Sequence, residues 1–134
     1  MQDYPQVALE FMNRDHAEFV VLRARLLELL SAAAPDARVD KLLGELLAHT
    51  RHHFAEEERL MQETGFPPYP VHKRDHDHVL ADMTTRVERW KQGHDVPALK
   101  EWLDRDIGDW FVSHVSSMDF VTAGFIKAQG KDRP

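Results

Sequence analysis

Five histidines and two carboxylates stand at spacings that suit a two-metal site: His16, then His53 with Glu57, His72 with His76, and His114 with Asp119. Residues four apart on an α-helix lie on one face, one turn from each other. Two such pairs on separate helices can therefore aim four ligands at one point. Imidazole mixed with carboxylate suits iron, manganese or zinc, whereas calcium and magnesium favour oxygen alone. Seven ligands exceed the four that one structural zinc takes, so two metals are the natural count.

A single spacing proves little. With nine histidines in 134 residues, an HxxxH pair is expected by accident about once, and His49 with His53 forms one besides His72 with His76. The joint pattern carries more. Each pair is bedded in apolar residues: Phe54 and Leu60 around the first, Val71, Val79 and Leu80 around the second, Trp110, Phe111 and Val115 around the third. Burying so many polar groups without partners would cost several kcal/mol each, and a pair of metal ions answers that cost. His114 and Asp119 are five apart, which turns roughly 140° around an ideal helix. Either the carboxylate reaches round to a second metal, or a π-type bulge re-aims it. Glu-x-x-His, the repeated motif of ferritin-like di-iron proteins, is absent from the sequence. A set rich in imidazole and poor in carboxylate points to oxygen binding rather than to a strongly oxidising intermediate.

Proline and glycine divide the chain into the elements that must hold these ligands. Breaks fall at Pro35–Asp36, at Gly65 through Pro70 and at Gly93 through Pro97, and the stretches between them carry helical rather than alternating periodicity. The predicted helices run over about 13–32, 39–62, 71–92 and 96–128, with Asp36 or Asp40 capping the second and Pro97 in the first turn of the fourth. Short connections favour antiparallel neighbours, so the expected fold is all-α: an up-down-up-down antiparallel four-helix bundle, one domain over 1–134, with a metal site in its core to which every helix contributes.

Composition narrows the function. Acidic residues outnumber basic ones, 23 to 17, for a formal charge of −6, which disfavours nucleic acid and anionic membrane surfaces as partners. No apolar run approaches a bilayer span and no signal segment opens the chain, so the expectation is a soluble, cytoplasmic protein. The sequence has no cysteine; disulfides, thiolate nucleophiles, iron–sulfur clusters and cysteine-bound zinc are excluded, and any metal is held by nitrogen and oxygen.

The motifs resemble those of the hemerythrin family, specifically its single-domain bacterial members, over roughly residues 13 to 125. The string from His53 to Met61 looks like the family's HFxxEExxM. It is followed by Gly65-Phe66-Pro67 with Tyr69, by His72-Lys73-Arg74-Asp75-His76, and by Trp110-Phe111-Val112-Ser113-His114 with Asp119. The resemblance implies two iron ions with an oxo or hydroxo bridge. His72, His76 and His114 would hold one iron, His16 and His53 the other, and Glu57 and Asp119 would bridge them. Dioxygen would bind reversibly at the two-histidine iron.

The sequence departs from the family pattern at Asn13, where an aspartate is usual three residues before the first histidine, and at His49, where tyrosine is common. Both are expected beside the ligands, tuning oxygen affinity and autoxidation. His49 lies one turn before His53 and is expected to point inward. His52, His78 and His94 read as surface residues. Leu60 and Phe111, one-turn neighbours of ligands, are expected in the wall of an apolar oxygen pocket that excludes water. The function so implied is reversible, non-enzymatic oxygen binding for storage, delivery or sensing. The alternative is a di-iron redox enzyme acting on peroxide, nitric oxide or ferrous iron.

Overall fold

The computed structural model describes residues 1–130. Its helical runs are α1 (Glu10–Ser31), α2 (Asp36–Thr64), α3 (Tyr69–Gly93) and a fourth run made of α4 (Val96–Glu101), α5 (Ile107–His114) and α6 (Phe120–Ala128). Two π turns, Trp102–Asp106 and Val115–Asp119, join the pieces of the fourth run without a break. The four runs form the expected antiparallel four-helix bundle, and the described residues contain no strand. No helix among them is long and apolar enough to cross a membrane.

The helix ends explain where the structure departs from the expected bounds. α1 begins at Glu10 because Asn13 reaches back along the chain: its Oδ1 accepts from Val7 N–H at 2.8 Å and its Nδ2 donates to Val7 C=O at 3.0 Å. This clamp holds the N-terminal segment, where Val7 and Leu9 are buried, against the bundle. α2 starts at Asp36 with Pro35 as its N-cap. Asp36 serves as an acidic first-turn residue rather than a cap, and Asp40 instead accepts the Trp90 indole N–H at 2.6 Å. α2 ends on Gly65, whose φ of 65° closes a left-handed cap, with Phe66 N–H bonded to Met61 C=O. α4 is capped by Asp95, whose side chain accepts from Ala98 N–H at 3.1 Å, with Pro97 in the first turn.

Antiparallel packing sorts the bundle into two halves. One half gathers the end of α1 (Leu26, Leu30), the start of α2 (Val39, Leu43, Leu46), the end of α3 (Met83, Trp90) and the start of the fourth run (Leu99, Trp102, Leu103), all buried. It is an ordinary apolar core, where each fully buried large side chain contributes about 1.5–3 kcal/mol. The opposite half receives the other end of every helix, and there histidines and carboxylates are buried among apolar side chains such as Phe19, Phe54, Leu60 and Phe111. Three tryptophans tie the helices across both halves through their N–H groups: Trp90 to Asp40, Trp102 to Asp82 at 2.9 Å and Trp110 to Asp75 at 3.0 Å. Arg23 is buried on α1, and its guanidinium donates to Leu103 C=O at 2.7 Å and Asp104 C=O at 3.2 Å, carbonyls of the first π turn.

Candidate metal centre

All seven sequence-predicted residues converge in the polar half of the bundle, and all seven are buried. The second π turn brings His114 and Asp119 together. A π turn pairs residues five apart, so the two side chains that an ideal helix would splay meet with His114 Nε2 3.0 Å from Asp119 Oδ1. The remaining pairs follow from ordinary four-residue spacing on α2 and α3.

Potential ligand atoms fall into two overlapping groups. Glu57, His72, His76, His114 and Asp119 form one; His16, His53, Glu57 and Asp119 form the other; within each group the atoms lie within 4.8 Å of one another. The two carboxylates belong to both. Glu57 turns Oε2 toward His53 Nε2 at 2.5 Å and Oε1 toward His76 and His72 Nε2 at 3.2 and 3.4 Å. Asp119 turns Oδ2 toward His16 Nε2 at 2.9 Å and Oδ1 toward His114 and His72 Nε2 at 3.0 and 3.1 Å. Each carboxylate thus offers one oxygen to each histidine group.

Four imidazoles are aimed by a partner on their outer nitrogen. His53 Nδ1 lies 2.8 Å from Asp15 Oδ2, His76 Nδ1 2.9 Å from Glu58 Oε2, His114 Nδ1 2.7 Å from Asp75 Oδ2 and His72 Nδ1 2.8 Å from Thr122 Oγ1. A carboxylate oxygen only accepts, so the proton on His53, His76 and His114 sits at Nδ1 and each Nε2 lone pair faces the cluster. This is the hydrogen-bonding pattern that orients metal-bound histidine. Aromatic rings complete the setting: Phe54 stacks on His76 at 3.7 Å and Trp110 on His114 at 4.7 Å.

Inside this shell, His53 Nε2, His76 Nε2, both Glu57 oxygens and Asp119 Oδ1 face one another or a neighbouring imidazole as buried ion pairs but form no well-aligned hydrogen bond. Polar atoms without a hydrogen bond at this depth are costly and rarely left so. The donor set of imidazole nitrogens and carboxylate oxygens fits a pair of transition-metal ions. In the metal-free chain, protons take their place. Burial pushes the His53 imidazole down, but Glu57, Asp15 and Asp119 more than reverse this and raise it to about 10. His114 is likewise lowered by burial yet raised to about 10 by Asp119, Asp75 and Glu57. Burial raises both carboxylates, and the surrounding imidazoles overcome it, holding Glu57 and Asp119 well below the usual carboxylate range.

A cavity of about 20 Å³ opens beside His16 and His53, room for a water-sized guest. Phe19, Phe54, Phe111 and Val115 form its apolar wall. Phe111 stacks on Phe19 at 4.6 Å and meets His16 edge-on. Leu60, expected in this wall, is buried outside the lining. Asn13 clamps the N-terminal segment. His49 does reach the cavity, but its Nε2 is bonded to Asp15 C=O at 3.0 Å. His52, His78 and His94 are exposed.

The arrangement of four antiparallel helices around a shared histidine–carboxylate cluster defines a helical metal-binding domain, and sequence comparison gives its kind. A family model described as a hemerythrin HHE cation binding domain matches residues 7–126. The chain is 35% identical over 122 residues to a bacteriohemerythrin of Ralstonia nicotianae (90% of this chain, 82% of that one). It is 32% identical over 113 residues to a bacteriohemerythrin of Aquifex aeolicus (84% and 86%). A myohemerythrin of Sipunculus nudus is 32% identical over 82 residues, 61% of each chain. No solved structure gives a significant match. The chain belongs to the hemerythrin family.

Proposed function

We propose that this chain is a single hemerythrin-like domain that binds dioxygen reversibly at two iron ions, without turning it over. The observation that carries the reading is the sharing of Glu57 and Asp119 between the two buried histidine groups. His72, His76 and His114 would hold one iron, and His16 with His53 the other. An iron pair of this kind supplies the electrons that reversible oxygen binding borrows and returns.

The rest of the chemistry belongs to the protein. Asp15, Glu58, Asp75 and Thr122 fix the rings that face the metals. The two-histidine side carries fewer nitrogen donors than the three-histidine side, and the cavity lies on that poorer side. Its phenylalanine wall would give a bound guest apolar surroundings on the side away from Asp15 and His49, which would disfavour turnover. Turnover of peroxide or nitric oxide is the competing reading, and His49 on the cavity lining is the observation that favours it.

The test is an optical spectrum of the iron-loaded, reduced protein before and after air and again after deoxygenation. A charge-transfer band that comes and goes over repeated cycles is the expected result. Immediate, irreversible passage to a diferric spectrum would transfer the case to the redox enzyme.

A further inference from the structure

The cluster is enclosed by four helices, so the ions it holds need a polar way in. The lining of the cavity beside His16 and His53 reaches the surface at Asp15 and His49, both partly exposed, on facing sides of α1 and α2. Glu18 stands one turn beyond Asp15 on α1. Ligand atoms of Asp15, Glu18 and His49 lie within 4.8 Å of one another.

The chemistry of His49 makes this more than an acidic patch. Its Nε2 is 3.0 Å from Asp15 C=O, and a carbonyl only accepts, so that nitrogen carries the proton. In the neutral ring Nδ1 then presents a lone pair, and it faces Glu18 Oε2 at 3.5 Å. Two lone pairs at that separation are bridged by a positive charge, either a proton on Nδ1 or a cation that takes its place. Behind them, the same cavity is lined by His16, more than nine-tenths buried, whose Nδ1 has no hydrogen-bond partner. Asp15 links the two levels, since its Oδ2 holds the His53 ring while its Oδ1 lies 3.9 Å from Arg14 Nε. Arg14 is exposed, a counter-charge that an arriving cation displaces.

We propose that Asp15, Glu18 and His49 form an outer divalent-cation site, through which metal is handed to the buried pair. The idea rests on the metal-pair reading of the centre but not on what that pair does with oxygen. A chain of net charge −6 attracts cations. A carboxylate and an imidazole at the mouth replace the hydration shell stepwise rather than in one costly move. Focusing of this kind raises capture rates by about tenfold or more.

The experiment uses Glu18→Gln and His49→Gln, with helicity and melting temperature checked against wild type. Ferrous iron is mixed anaerobically with the metal-free proteins and uptake followed in time. Manganese(II) is separately titrated into the metal-loaded proteins and read by the loss of its aqueous paramagnetic resonance signal. The expected result is one weak manganese site in wild type, absent from both variants, with iron uptake slowed about tenfold and the final count still two per chain. Wild-type uptake rates in both variants overturn the proposal, as does a wild type with no manganese site. A wild type that takes up fewer than two irons would instead refute the reading of the buried centre, which the manganese titration does not address.

Discussion

Asp75 accepts from two side chains of α5 at once, the Trp110 indole and the His114 imidazole, both on the same oxygen. Its carboxyl is held below the usual range chiefly by the His114 hydrogen bond. One partly exposed aspartate on α3 therefore sets both the direction of a proposed ligand and the ring that stacks on it. Replacing it with alanine should weaken metal binding by about 10–100-fold while leaving the helices formed. Competition with a chelator measures the first effect and circular dichroism the second; Asp77→Ala, two residues on and in an exposed pair with Lys73, should match wild type. The pairs His53 with Glu57 and His72 with His76, among the proposed ligands, were legible in the sequence because four-residue spacing is a local property of one helix. The supports of the imidazoles were not. Asp15, Glu58, Asp75 and Thr122 lie 38, 18, 39 and 50 residues from the imidazoles they hold, and no spacing rule links residues on different helices. Asn13 was visible as a departure from the family pattern, but its clamp on Val7 depends on how the preceding segment turns back.

The fourth helical run shows what an element contributes. Its second π turn was readable as one of two options, since a five-residue step between ligands demands some departure from ideal helix geometry. The first, at Trp102–Asp106, carries no ligand pair to betray it. Its partner is Arg23, buried on α1 and donating to the carbonyls of Leu103 and Asp104. Gly108 leaves room for that guanidinium, as a Cβ there would sit 3.3 Å from Nη2. Arg23→Met keeps the aliphatic stem but leaves a buried carbonyl unpaired, at a cost of about 1–3 kcal/mol. Thermal or denaturant unfolding should show that loss, with the metal count per chain unchanged because the first π turn lies in the apolar half. A variant as stable as wild type would deny the arginine its role. Loop-adjacent bounds were the less legible part of the helices: Asp36 and Asp40 both looked like caps, and packing assigned Asp40 to Trp90.

At the scale of the molecule, one half of the bundle is held by apolar packing and the other by apolar packing together with whatever satisfies its buried charges. In the metal-free chain these are protons on imidazoles beside ionised carboxylates. His53 and His114, raised from 6.5 to about 10, contribute stability that is fully present below pH 6.5 and lost as pH rises through about 10. Glu57 and Asp119, lowered from 4.5 and 3.8, contribute stability present above those values and lost as pH falls. The metal-free protein should thus melt highest between about pH 5 and 6.5 and weaken steadily toward pH 9 and beyond. Metal ions replace those protons, so the loaded protein should hold its melting temperature across the alkaline range. Scanning calorimetry of both forms at pH 6 and pH 9 checks the contrast.

The central claim is that two metal ions share one pair of carboxylates, and anaerobic titration of ferrous iron tests it most directly. Wild type should take up two irons per chain. Asp119→Asn should weaken both together, because Asp119 faces both histidine groups. A wild type that saturates at one iron, or an Asp119→Asn variant that loses one and keeps the other at full affinity, would contradict the account.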